Sequence, residues 1–153
     1  MAPPKLTRSA EDSLIAAALA ARLLAYAPYS RFLVGAALLA EDGAVVVGCN
    51  VENASYGLCI CAERTALAAA VAQGHLSATR GVRAIAIATG STPPSPPCGM
   101  CRQFLAEFVT DGAKDAAIIL VNPEGARVRT SLKKMLPGTF TKALLQSGRG
   151  RKR

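Results

Sequence analysis

Cys59-Ile-Cys-Ala-Glu-Arg64 sets two thiols, a carboxylate and a guanidinium within six residues, and Cys98-Gly-Met-Cys101 adds a second pair of thiols. Cysteine beside glutamate is a pairing that metal chemistry asks for, because thiolates hold a soft cation and a nearby carboxylate moves protons next to it. Five cysteines is an odd number. The chain also opens without the uncharged apolar core of a secretory signal, since Glu11, Asp12 and Arg22 fall in its first helical stretch. The sequence therefore predicts a cytoplasmic chain with reduced thiols, in which metal or catalytic roles explain the cysteines better than disulfides do.

Spacing assigns the parts. Cys61 falls at the first turn of one expected helix, and Cys98 and Cys101 at the first turn of another. Helix dipoles and free amides at those ends favour thiolate over thiol. Three sulfurs make a trigonal base, and their softness selects zinc. Three protein ligands leave a fourth position open, as in a catalytic zinc site. Glu63, two residues after Cys61, is then the general acid and base. Three thiolates on one Zn2+ carry a net negative charge that weakens the metal as an electrophile, and the adjacent cation Arg64 can offset it by hydrogen bonding to the sulfurs. Cys59 as a fourth ligand would close the site. Chelation through both Cys59 and Cys61 needs a tight ring where the chain turns into the helix, so Cys59, like Cys49, reads as a small hydrophobe. His75, the only histidine, follows a helix-ending Gly74 and reads as a loop residue rather than a ligand.

The elements that must position these groups follow from periodicity. Ser9 as N-cap starts a helix through Leu14, Ile15, Ala18, Leu19 and Leu23 that ends near Tyr26. Phe32 to Leu39 and Val45 to Cys49 pair as antiparallel strands across Asp42-Gly43. A helix runs from Cys61 to Gln73 and stops at Gly74. Val82 to Thr89 reads as a mid-sheet strand, its alanine face leaving room for a helix. The proline-rich 92–97 segment leads in extended form to a helix from Cys98 to Val109. Strands over Ala117 to Val121 and Ala126 to Thr130 follow, and Ser131 caps a short helix ending at Pro137. This order predicts an α/β protein, a three-layer α/β/α sandwich with a mixed sheet of about five strands.

The 153 residues, 51% of them hydrophobic, suit one domain over 1–147 followed by a basic tail at 148–153. Half of the +8 net charge is confined to Arg149, Arg151, Lys152 and Arg153, so there is a basic terminus rather than a basic face. With seven aromatics and no Trp the chain offers little surface for stacking bases, and nucleic acid is not an expected partner. The longest apolar run, Phe32 to Ala40, is far short of the roughly 18–20 residues of a membrane span.

Cys-Ala-Glu-Arg followed by Pro97-Cys98-Gly-Met-Cys101-Arg-Gln resembles the zinc deaminase signature, in which a glutamate that does not bind the metal shuttles protons. With Tyr29-Ser-Arg-Phe32, Asn50-Val-Glu52-Asn-Ala-Ser-Tyr56-Gly and Leu136-Pro-Gly-Thr-Phe140, the chain is similar to the short, homotetrameric cytidine deaminases that act on free nucleosides. The resemblance runs from about Ala10 to Phe140. It implies one Zn2+ per subunit on Cys61, Cys98 and Cys101, with Glu63 as proton shuttle and Arg64 behind the ligands. It also implies substrate contacts from Phe32, Asn50, Glu52 and Ala62, with Ala54, Tyr56 and Phe140 reaching a neighbouring subunit's pocket. The implied reaction converts cytidine and deoxycytidine to uridine and deoxyuridine plus ammonia, a step of pyrimidine salvage. Two other readings compete with it. A polynucleotide or nucleoside-analogue deaminase is one, although polynucleotide enzymes usually take histidine as first ligand. A non-catalytic zinc-stabilised module is the other, and it needs Cys59 as fourth ligand.

Overall fold

A computed structural model of the chain describes residues 5–109 and 115–147, so the basic tail at 148–153 lies outside the described residues. The order is α1 (Arg8–Arg22), β1 (Gly35–Ala40), β2 (Val45–Cys49), α2 (Ala62–Ala72), β3 (Val82–Ala88), α3 (Gly99–Ala106), β4 (Ala117–Val121), β5 (Arg127–Ser131), α4 (Leu132–Met135) and α5 (Lys142–Ser147). A 3-10 turn at Tyr56–Leu58 lies between β2 and α2. Five strands form one mixed sheet in the order β2-β1-β3-β4-β5. Only the β3–β4 pair is parallel, and α3 lies on the connection that a parallel pair requires. The expected α/β/α sandwich is what the chain forms.

Strand composition sets the layers. β1 and β4 are buried along their whole length, as strands covered on both faces must be. Leu14, Ile15 and Ala18 of α1 pack on the face carrying Ala37, Ala84, Ala86, Ala88 and Ile119. Ala62, Ala66, Leu67 and Ala70 of α2, with Leu105 of α3, pack on the opposite face against Leu38, Ile85, Ile87 and Ile118. Two glycines permit the approach. A Cβ on Gly35 would lie 2.2 Å from the Ala18 carbonyl oxygen of α1, and one on Gly48 would lie 2.4 Å from the Ala66 nitrogen of α2. Glu11, buried on α1, accepts hydrogen bonds from Arg127 and Arg129 and ties that helix to the edge strand β5.

Several boundaries differ from expectation. Thr7, not Ser9, caps α1: its side chain accepts from the Ala10 amide, and Ser9 is already inside the helix. The helix stops at Arg22, whose Nε donates to Leu33 O, so Leu23 and Leu24 are exposed instead of joining the core. Phe32 to Val34 are not strand. The Asn50 amide takes their hydrogen bonds, donating to Phe32 O (2.9 Å) and accepting from Val34 N (2.8 Å). Beyond Pro137, α5 adds a turn of helix that the sequence did not announce.

Candidate active site

α2 and α3 deliver their N-termini to one place. Cys61 and Cys98 are the N-cap residues, both extended, and neither uses its side chain as a cap. Their sulfurs turn instead toward each other and toward Cys101 in the first turn of α3, so that all three Sγ atoms lie within 4.8 Å of one another. Among the described residues this is the group of side chains able to hold a metal, and Cys59 is not in it. Cys59 Sγ instead accepts from the Asn53 amide (3.3 Å) and faces Asn53 O. His75 sits in a loop against Asp42, 3.1 Å away, as its position after Gly74 suggests.

Crowding thiols at two helix N-termini changes the acidity of Cys61 and Cys101. Cys61 is drawn down to about 5, first by a hydrogen bond from Cys101, then by Cys98 and by the charge and hydrogen bond of Arg64, against the opposing effect of burial. Cys101 is pushed up, because it donates to Cys61 and is buried beside Glu63. One sulfur thus ionises readily, held by the protons of its neighbours. A divalent cation does the same work for all three and releases those protons. The surroundings fit such a cation: Arg64 donates through Nη2 to Cys59 O (3.0 Å), and its buried Nε has no partner among the described residues. A guanidinium fixed there answers the surplus negative charge of a three-thiolate centre.

Glu63 is 5% exposed. Burial raises its pKa, and the Cys61 thiolate adds to the rise, while its own backbone amide, Cys101 and Arg64 act against it. A carboxylate lifted in this way takes up a proton more readily than an exposed one, as a general base must.

Glu63, Cys61 and Cys98 line a cavity of about 340 Å³, within the range of roughly 300–1,000 Å³ that small-molecule sites occupy. Phe32, Asn50, Glu52 and Ala62 line it too, so four further expected site residues share the space with the thiols. Asn50 and Glu52 are also structural. Glu52 accepts from the amides of Tyr29 (2.9 Å) and Ser30 (3.2 Å) and from the Ser30 hydroxyl, and these bonds, the hydroxyl first, hold its pKa below the ordinary value of 4.5. They brace a loop in which Arg31 takes φ +58°. Ala54, Tyr56 and Phe140 do not line the cavity and are exposed, Tyr56 standing edge-on to Tyr29 with centroids 5.6 Å apart. Ser30, Thr89 and Ser95 line it without having been singled out from the sequence. They are small polar residues at the end of β3 and in loops, with no spacing to mark them.

Three thiols gathered at the wall of a ligand-sized cavity, beside a buried carboxylate that lines it, are what a hydrolytic zinc enzyme needs. The family model for the cytidine and deoxycytidylate deaminase zinc-binding region matches residues 8–114, and the chain belongs to that family, with zinc as its metal. It is 49% identical over 128 residues to a cytidine deaminase of Halalkalibacterium halodurans, covering 84% of this chain and 92% of the relative. A cytidine deaminase of Sporosarcina psychrophila is 45% identical over 131 residues, covering 86% and 91% respectively. The crystal structure of cytidine deaminase from Burkholderia pseudomallei superposes with a TM-score of 0.76 at 48% identity, over 88% of this chain and 100% of that one.

Proposed function

We propose that the protein is a cytidine deaminase that hydrolyses cytidine and deoxycytidine to uridine and deoxyuridine with release of ammonia. The observation that carries this is the buried Glu63 carboxylate sharing one cavity with Cys61 and Cys98, whose sulfurs form one group with that of Cys101 behind the wall. Relatives matched over most of their own length bear the same activity in their names.

Cys61, Cys98 and Cys101 hold the zinc, which supplies Lewis acidity and brings the pKa of water toward neutrality. Glu63 takes a proton from the attacking water and delivers it to N3 of the pyrimidine, which makes C4 electrophilic. It then carries a second proton to the departing amine. Burial serves the first of these transfers, because a carboxylate with a raised pKa takes up a proton more readily than an ordinary one and can carry it to the pyrimidine. Arg64 offsets thiolate charge. Phe32 and Ala62 flank the base, and the polar ends of Asn50 and Glu52 address the ribose. Asn50 uses one donor and one acceptor on the 32–34 backbone, which leaves one N–H and one lone pair for a hydroxyl.

Ala54, Tyr56 and Phe140, exposed and outside their own cavity, complete a neighbouring subunit's site in a homotetramer. Exposed Leu144, Leu145, Leu58 and Ile60 are further apolar surface for such an assembly. The described residues, 5–109 and 115–147, belong to a single domain. No helix among the described residues is long and apolar enough to cross a membrane. Thiol ligands, which need a reducing compartment, support a cytoplasmic enzyme of pyrimidine salvage. Zinc-loaded protein mixed with cytidine should release uridine and ammonia in equal amounts, and absence of both would refute the reading. Light scattering should give four chains per particle, and an active monomer would refute the shared site.

A further inference from the structure

One polar arrangement at the cavity wall has no part in the reaction just derived. Thr89, directly after β3, is 2% exposed, and its Oγ1 accepts from the Ser95 amide at 3.0 Å. The same oxygen lies 3.1 Å from Ser91 Oγ, which lies 2.7 Å from Ser95 Oγ. Asn122, 1% exposed, anchors the loop from below by donating to Ser91 O and to Thr92 Oγ1. Both ends of this hydroxyl chain, Thr89 and Ser95, line the cavity with Glu63 and Cys98.

Three hydroxyls bring three protons to two links. When Thr89 donates to Ser91 and Ser91 to Ser95, every hydroxyl of the chain is engaged and the remaining O–H belongs to Ser95. When both links reverse, Ser95 donates to Ser91 and Ser91 to Thr89, the third O–H, on Thr89, turns to the cavity that Thr89 lines, and the lone pairs of Ser95 are left to accept. The chain can therefore show either a donor or an acceptor at Ser95 by turning hydroxyls alone, with no charge buried. Position says what it meets. Ser95 precedes Cys98 by three residues and lines the cavity with it and with Pro96, so it belongs to the segment that brings a thiol to the place where the reacting carbon must lie. The substrate carries an amino group on that carbon and the product a carbonyl, the first a donor and the second an acceptor.

We propose that Ser95, oriented by Ser91 and Thr89, is a further substrate-positioning residue that hydrogen-bonds the C4 substituent in both its amino and its carbonyl form. This rests on the deaminase reading above. The test uses zinc-loaded full-length chain and three ligands: cytidine, uridine, and the pyrimidin-2-one ribonucleoside, which has only hydrogen at C4. Ser95→Ala should raise the KM for cytidine and the calorimetric Kd for uridine about three- to tenfold, the effect of one neutral hydrogen bond. Affinity for the pyrimidin-2-one should stay within about twofold, and Ser95→Thr should restore uridine binding. Ser91→Ala, outside the cavity, should show the same ligand-selective loss at smaller size, and it decides the matter if Ser95→Ala fails to fold. Equal loss for all three ligands, or unchanged uridine binding, would overturn the proposal. A wild-type enzyme inert toward cytidine would instead overturn the deaminase reading itself.

Discussion

Gly48→Ala should disable the site without touching any residue in it. The new Cβ would stand 2.4 Å from Ala66 N and 2.7 Å from Ala62 O, both backbone atoms of α2 that no rotamer change can move. Restoring an ordinary contact of at least 3.4 Å requires the helix to retreat by about 1.0 Å, the difference between the two distances. That helix carries Glu63 and starts at Cys61, whereas Cys98 and Cys101 belong to α3 and stay behind. A misplacement of this size costs about a hundredfold in rate, and overpacking costs about 1–3 kcal/mol. The latter lowers the melting midpoint by roughly 2–12 °C for a domain of this length. Gly35→Ala is the control, since its Cβ would meet Ala18 O at 2.2 Å and press on α1 in the opposite layer. Both variants should melt early. Only Gly48→Ala should also lose zinc affinity and about a hundredfold in kcat/KM, measured by metal titration and the fall in cytidine absorbance. A Gly48→Ala enzyme with wild-type zinc binding and turnover would refute the claim that helix seating sets the site.

Cys59→Ala should keep a full complement of zinc and most of its activity, because Cys59 bonds to Asn53 and lies outside the three-thiol group; loss of metal on elemental analysis would restore the closed-site reading. Glu52→Gln should lower the melting midpoint by loosening the 29–32 loop. Since the Glu52 pKa is depressed in the fold, its contribution is fully present above about pH 4.5 and is lost as pH falls through its lower folded value. The midpoint difference between wild type and Glu52→Gln should therefore be flat from pH 7 to 5 and shrink below that, and a difference that widens in acid would contradict it. Asn50→Ala should raise the KM for cytidine by about tenfold or more, because it leaves Val34 N and Phe32 O without their partner as well as the ribose; an unchanged KM would show that the 32–34 loop is held by other means.

The parts of the fold that were legible in the sequence are those in which local preference and tertiary packing agree. The alanine face of Val82 to Ala88 foretold a helix pressed close, and α1 occupies it. The Asp42-Gly43 turn sits where expected, with Gly43 at φ +91°. The strand before Gly35 was misjudged for a tertiary reason, since Asn50 draws Phe32 to Val34 into a loop with its side-chain amide, and no local pattern encodes that. Leu23 fits helical spacing yet lies outside α1, which ends where Arg22 reaches across to Leu33. Of the site, the thiols and Glu63 were legible because metal chemistry needs those residue types at those spacings. Ser95 and Thr89 were not, because two hydroxyls acquire meaning only when the loop folds them around Ser91.

The proposed proton transfers all pass through Glu63. Glu63→Gln replaces the carboxylate with an amide of nearly the same shape, which cannot carry a proton at any step. Elemental analysis and steady-state assay on one preparation should show one zinc per chain and a kcat for cytidine reduced by about 10³-fold or more, since each proton transfer contributes about 10²–10⁴. A Glu63→Gln enzyme that holds its zinc and still deaminates cytidine at a rate near that of the wild type would contradict the central claim.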